Sequence, residues 1–218
     1  MPKNLSAAQV EDFRARLCAV AQERFATDGR DVVTMRSLAE ALGCSPMTPY
    51  RYFRNKDEIL AAVRTAAFDR FAEAMETAVA GAADPGAAGQ ATSEAYVRFA
   101  LGDPGAYRLM FDLSQPDQDR YPELVRASTR ARRTMSAALE ALVNAGIFHG
   151  DPELLGYAFW AALHGLVVLR LAGKLPAEPG FETIRTELMG LLVAGARAET
   201  AAPPPPRLEK ARTKRRRS

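Results

Sequence analysis

From Val10 onward apolar residues recur at every third or fourth position, and no segment alternates apolar and polar residues as a strand would. Val10, Phe13, Leu17, Ala21 and Phe25 make one such stripe, and Leu60, Val63, Ala67, Phe71, Met75 and Val79 make a longer one. Phe181, Ile184, Leu188, Leu191 and Leu192 make a third. That period admits amphipathic helices and little else, so the fold class is all-α. The punctuation agrees. Ser6, Thr34 and Asn55 stand where a helix start needs a side-chain acceptor, and Gly29 and Gly43 stand where a helix must stop. Helices are expected at 6–28 and 34–42, from Ser45, from Asn55 to about 80, and at 90–101, 104–113, 121–145, 153–172 and 181–198. That makes about nine. "AGAADPGAAG", Ala80 to Gly89, is expected to be a break.

A chain of 218 residues with 48% hydrophobic and 25% charged residues has enough apolar surface for one or two compact domains. Its charge is unevenly spread. Residues 1–64 carry a net +2, residues 65–206 a net −5, and the last twelve, "RLEKARTKRRRS", a net +6. A polyanion would be drawn to the ends of the chain rather than its middle. The expected organisation is an N-terminal domain at 1–64, a larger helical domain at 65–200, and a Pro-rich, basic, disordered tail at 201–218. Two cysteines and two histidines make neither a zinc set nor a disulfide framework, and no metal or cofactor is expected. The N-terminus lacks the apolar core of a signal peptide. The most apolar run, Leu154 to Ala172, contains His164 and Arg170 and reads as a buried helix rather than a membrane span. A cytoplasmic location is the expectation.

The stretch "GCSPMTPYRYFRNK", Gly43 to Lys56, follows a short helix closely enough to make a helix-turn-helix pair. Ser45 suits a cap and Pro46 the first helical position, while Pro49 would forfeit the first intrahelical bond and crowd the carbonyl of Ser45. Thr48, Tyr50, Arg51 and Tyr52 offer groups that hold phosphates or, for arginine, pair bidentately with guanine. Lys56 adds a charge beside the exposed N–H groups of the next helix. Phe53 and part of Tyr50 are expected to pack inward. On residues alone, DNA binding and a structural helical hairpin both remain open.

The span from about Val10 to Val63, including "AVAQERFATDGRDVVTMRSLAEALGCSPMTPYRYFRNKDEILAAV", resembles the DNA-binding domain of TetR-family transcriptional regulators. The resemblance implies a homodimeric, all-helical regulator whose C-terminal domain binds a small effector and whose partner is palindromic double-stranded operator DNA. It implies that Thr34 touches phosphate and that Arg36 reaches a base. Thr48 and Tyr50 would hold the backbone, Arg51 and Tyr52 would lie at base or phosphate, and Lys56 would hold phosphate. Ser45 and Met47 complete the set, Met47 against a thymine methyl. "PMTP" departs from the family pattern of a glycine and a small residue there.

In the C-terminal half, Trp160, His164 and Gly165 together with "YRLMF" resemble the C-terminal subtype named for its Trp-His-Gly motif. The resemblance implies dimerisation through helices 153–172 and 181–198. Phe99, Tyr107, Met110, Phe111, Met135, Trp160 and His164 are the candidate lining of a pocket for a hydrophobic or aromatic effector, and plain core is the alternative. No nucleophile–base pair, carboxylate dyad or glycine-rich phosphate loop suggests catalysis. Effector-independent or nonspecific nucleic-acid binding aided by the basic tail is the second functional reading.

Overall fold

The structure is a computed structural model describing residues 6–111 and 118–198; the tail read at 201–218 lies outside the described residues, as do residues 112 and 113. Eight α-helices follow in order: α1 Ala7–Asp28, α2 Met35–Ala41, α3 Lys56–Val79, α4 Pro85–Gly102, α5 Pro104–Phe111, α6 Pro122–Asn144, α7 Pro152–Leu171 and α8 Phe181–Arg197. Single 3-10 turns stand at Pro49–Arg51 and Gln118–Arg120. No strand occurs among the described residues.

The starts follow the side-chain chemistry. Ser6 and Gln9 cap each other at α1, Thr34 and Ser37 do the same at α2, and Asn55 accepts from the Glu58 N–H at α3. Each such cap is worth about 1 kcal/mol. Gly43 closes α2 at φ 65°, a left-handed geometry that glycine alone adopts at little cost. Two expectations change. The expected break shrinks, because Asp84 caps and Pro85 occupies the first position of α4, placing Gly86 and Gly89 inside the helix. The expected helix from Ser45 is not an α-helix. Ser45 O, Thr48 O and Pro49 O accept instead from N–H groups three residues on, because Pro46 and Pro49 have no N–H to start a regular ladder.

Two apolar cores result. The first gathers Leu17, Ala21, Phe25, Val33, Leu38, Phe53, Ile59 and Val63, and it is completed by Leu109 from α5. The expected 1–64 module therefore does not close its core with its own residues. The second core centres on Phe68, Phe71, Met75, Tyr96, Tyr107, Met110 and Leu163. α3 belongs to both, through Ile59, Leu60 and Val63 at its start and Phe68, Phe71 and Met75 further on. α7 is covered only in part by its own chain. It is long and apolar enough to cross a membrane, with mean hydropathy 1.6, yet only 17% of that window is buried within the chain.

Candidate nucleic-acid interface and inner cavity

α2 and the turns after it form a pair whose inner side is Leu38, Ala39, buried Pro49 and Phe53. Burying Pro49 and Phe53 on one side forces the residues between and beside them outward. Ser45 and Arg51 are exposed, Met47 is 69% and Tyr50 50% exposed, and Thr48 is half-buried. Thr34 is exposed, its hydroxyl accepting from Ser37 N–H, and Arg36 is exposed and paired with Glu40 at 3.0 Å. The Arg51 side chain has no hydrogen bond or ion pair among the described residues, leaving a full guanidinium fork available.

Tyr52 and Lys56, also among the nine expected contact residues, are held by distant parts of the chain. Tyr52 is stacked on Phe13 with ring centroids 4.4 Å apart, and its carbonyl accepts from Arg14 at 2.7 Å. Lys56 spends its ammonium on the carbonyls of Arg30 (2.8 Å) and Val33 (3.2 Å), tying the start of α3 to the loop after α1. Both are held by partners more than twenty residues away in sequence, which no local pattern announces.

α5 joins this surface to the rest. Asp103 caps it by accepting from Ala106 N–H, and the same carboxylate takes Arg70 of α3 at 2.9 Å and Gln22 of α1 at 3.2 Å. Gly105 lets α5 approach α1, since a Cβ there would come 3.1 Å from Ala26 Cβ. Four residues later Leu109 enters the first core, while Tyr107 and Met110 enter the second.

A cavity of about 610 Å³ lies among α4, α6, α7 and α8. Of the candidate lining residues, Met135 and Trp160 stand on its wall. Phe99, Tyr107, Met110, Phe111 and His164 do not; they form a packed aromatic cluster beside it. The reason is polar as well as apolar. Tyr107 Oη lies 2.7 Å from Tyr96 Oη and 2.7 Å from His164 Nδ1. One arrangement satisfies all three: Tyr96 donates to Tyr107, and Tyr107 donates to a neutral His164. Burial pushes the Tyr96 hydroxyl up to about 12 and Tyr107 higher still, while it holds His164 below its usual 6.5. All three groups are thus kept uncharged.

Ser93 and Arg185 stand on the wall without having been singled out in the sequence. Ser93 and Trp160 each present a buried polar atom, Oγ and Nε1, with no hydrogen bond of ordinary geometry. The polar group beside Trp160 Nε1 is the Tyr96 hydroxyl. Arg185 is the partly buried charged residue there, its side chain 22% exposed. It was hidden in sequence because it falls outside the stripe through Ile184, Leu188 and Leu191. In the structure α8 turns Phe181, Arg185, Met189, Val193 and Ala196 inward, and leaves Leu191 72% exposed.

Comparison with known proteins gives concordant matches. Residues 17–63 match the bacterial regulatory proteins of the tetR family, and residues 89–192 match the tetracyclin repressor-like C-terminal domain. The chain is 27% identical over 176 residues to the uncharacterized HTH-type transcriptional regulator Rv0681 of Mycobacterium tuberculosis, covering 79% of this chain and 76% of that one. Among solved structures, a protein of unknown function from Rhodococcus sp. RHA1 superposes with a TM-score of 0.75 at 25% identity, covering 91% of this chain and all of its own. A regulatory protein in the tetR family from Rhodococcus RHA1 superposes with a TM-score of 0.68 at 21% identity, covering 88% of this chain and 98% of its own.

Proposed function

The chain belongs to the TetR family of transcriptional regulators, and on that premise we propose that it is a homodimeric repressor released from palindromic operator DNA by a small apolar effector. The observation that carries the reading is Arg51: an exposed guanidinium without a partner among the described residues, on a turn held by buried Pro49 and Phe53. A rigid turn with a free fork suits bidentate pairing to a guanine edge. Met47 and Tyr50 flank it, and Thr34, Arg36, Ser45 and Thr48 supply further contacts along the same pair of elements. Tyr52 and Lys56 act from behind, by fixing the turn and the start of α3. The protein would work in the cytoplasm, where its DNA is.

The dimer is supported by what the single chain leaves uncovered. α7 exposes Leu154, Tyr157, Val168 and Leu169, and α8 exposes Leu191 on the stripe that faces away from its own core. Gly165 and Gly195 have nothing within 4 Å of where a Cβ would stand, so another helix could approach closely there. A second copy placing α7 and α8 against these faces gives an isologous four-helix interface.

The effector would occupy the cavity beside Trp160 and shift the population toward a state that binds DNA poorly. A coupling of about 1–3 kcal/mol is typical, and DNA must weaken the effector by the same factor. Arg51→Ala tests the reading. It should reduce discrimination at one operator base pair by about 1–3 kcal/mol, whereas removing residues 207–218, with their net +6, should weaken all sequences alike. If Arg51→Ala leaves base preferences unchanged, direct readout by that residue is wrong. If wild type shows no sequence preference, nonspecific binding aided by the basic tail takes its place.

A further inference from the structure

Resting on the apolar-effector reading above, we infer that the cavity takes an elongated apolar monocarboxylate, with Arg185 as the anchor of its carboxylate. Two features of the wall carry this. First, the Arg185 side chain is 22% exposed, while that of its counter-ion Glu182 is 66% exposed. Nε and Nη2 of Arg185 both reach the same Glu182 oxygen, at 2.7 and 2.6 Å. A carboxylate entering from the cavity can take that fork in exchange for a solvent-side partner, and exposed ion pairs within one helix contribute little stability. The other wall carboxylates are already engaged: Asp84 accepts from Ala87 N–H, and Glu94 from the Gln90 amide.

Second, the interior of the cavity away from that charge is apolar, the other charged residues of its wall, Asp84, Glu94 and Arg197, being exposed. Leu142, Phe148, Phe159 and Val193 surround the far end of α8. Arg185 and Val193 are eight residues apart on α8, both on the cavity wall, which corresponds to about 12 Å along the axis. The ligand is therefore charged at one end and apolar along its length.

Trp160 is the chain's sole tryptophan, which makes its fluorescence a direct report of occupancy. Full-length protein is titrated with dodecanoate and with dodecan-1-ol, which share a chain and differ in the head group. Wild type should bind dodecanoate about tenfold more tightly than the alcohol. Arg185→Gln should remove that preference while leaving alcohol affinity unchanged, and Arg185→Lys should restore part of it. Equal affinity of wild type for the two probes overturns the carboxylate assignment but keeps the apolar cavity. Retention of the preference in a folded Arg185→Gln chain also overturns it. If neither probe changes Trp160 emission, both the assignment and the apolar-effector reading fail.

Discussion

His164 shows how little of a residue's role is visible in its neighbours along the chain. Its place on α7, four residues after Trp160, was legible in the sequence; its bond to Tyr107, fifty-seven residues earlier, was not. Because burial holds the imidazole below its usual 6.5, the unfolded chain takes up a proton at a pH where the folded chain does not. This contribution to stability is complete above pH 6.5 and is lost as pH falls through the folded value. Urea denaturation at several pH values between 7.5 and 5 should show wild type losing stability toward acid. His164→Gln should lose less over the same window, the difference between the two slopes isolating this group from the carboxylates. A slope identical in the two proteins would remove His164 from the account. Tyr52 and Lys56 teach the same lesson as His164. Their residue types suit phosphate, but a ring stacked on Phe13 and an ammonium bound to two carbonyls are decided by tertiary contacts.

At the scale of elements, the long periodic helices and their caps were readable because period and capping are local properties. Ser6, Thr34 and Asn55 cap α1, α2 and α3 where the sequence indicates. The segment after Gly43 was only half readable. Its prolines announced distortion of a first turn, but they remove enough N–H donors to leave consecutive 3-10 turns in place of an α-helix. The start of α4 was misread because alanine and glycine in "DPGAAG" look like a break when the Asp-Pro start is overlooked. α5 was read as a helix, but its position between two cores follows only from the fold. Leu109→Ala should cost about 2–5 kcal/mol, as for other large-to-small changes in a core. The loss should appear as faster amide exchange in α1 and in the first turns of α3, residues far from 109 in sequence, because Leu109 fills their core. Protection lost only around α5 itself would mean that the first core closes without it.

The whole molecule poses the question of what covers α7 and α8. The α7 helix, with mean hydropathy 1.6, is little buried inside its own chain, which is the basis of the proposed dimer. The stripe through Ile184, Leu188 and Leu191 was legible in the sequence; that it points away from the chain's own core was not, because periodicity reports a face and not its direction. Leu191→Arg, at a position 72% exposed in the single chain, should leave the monomer's helix content intact and yield a monomer by light scattering at micromolar concentration. A dimer unchanged by that substitution would place the interface elsewhere. In the proposed dimer, the interface sets the spacing of the two Arg51 turns, and through it the operator. Footprinting the full-length protein on DNA sequences selected by binding tests this most directly. The account predicts two protected half-sites related by a twofold axis, with centres about 34–36 Å apart on one side of the duplex. Protection spread evenly along the DNA, with no preferred sequence and a steep loss on adding salt, would contradict it.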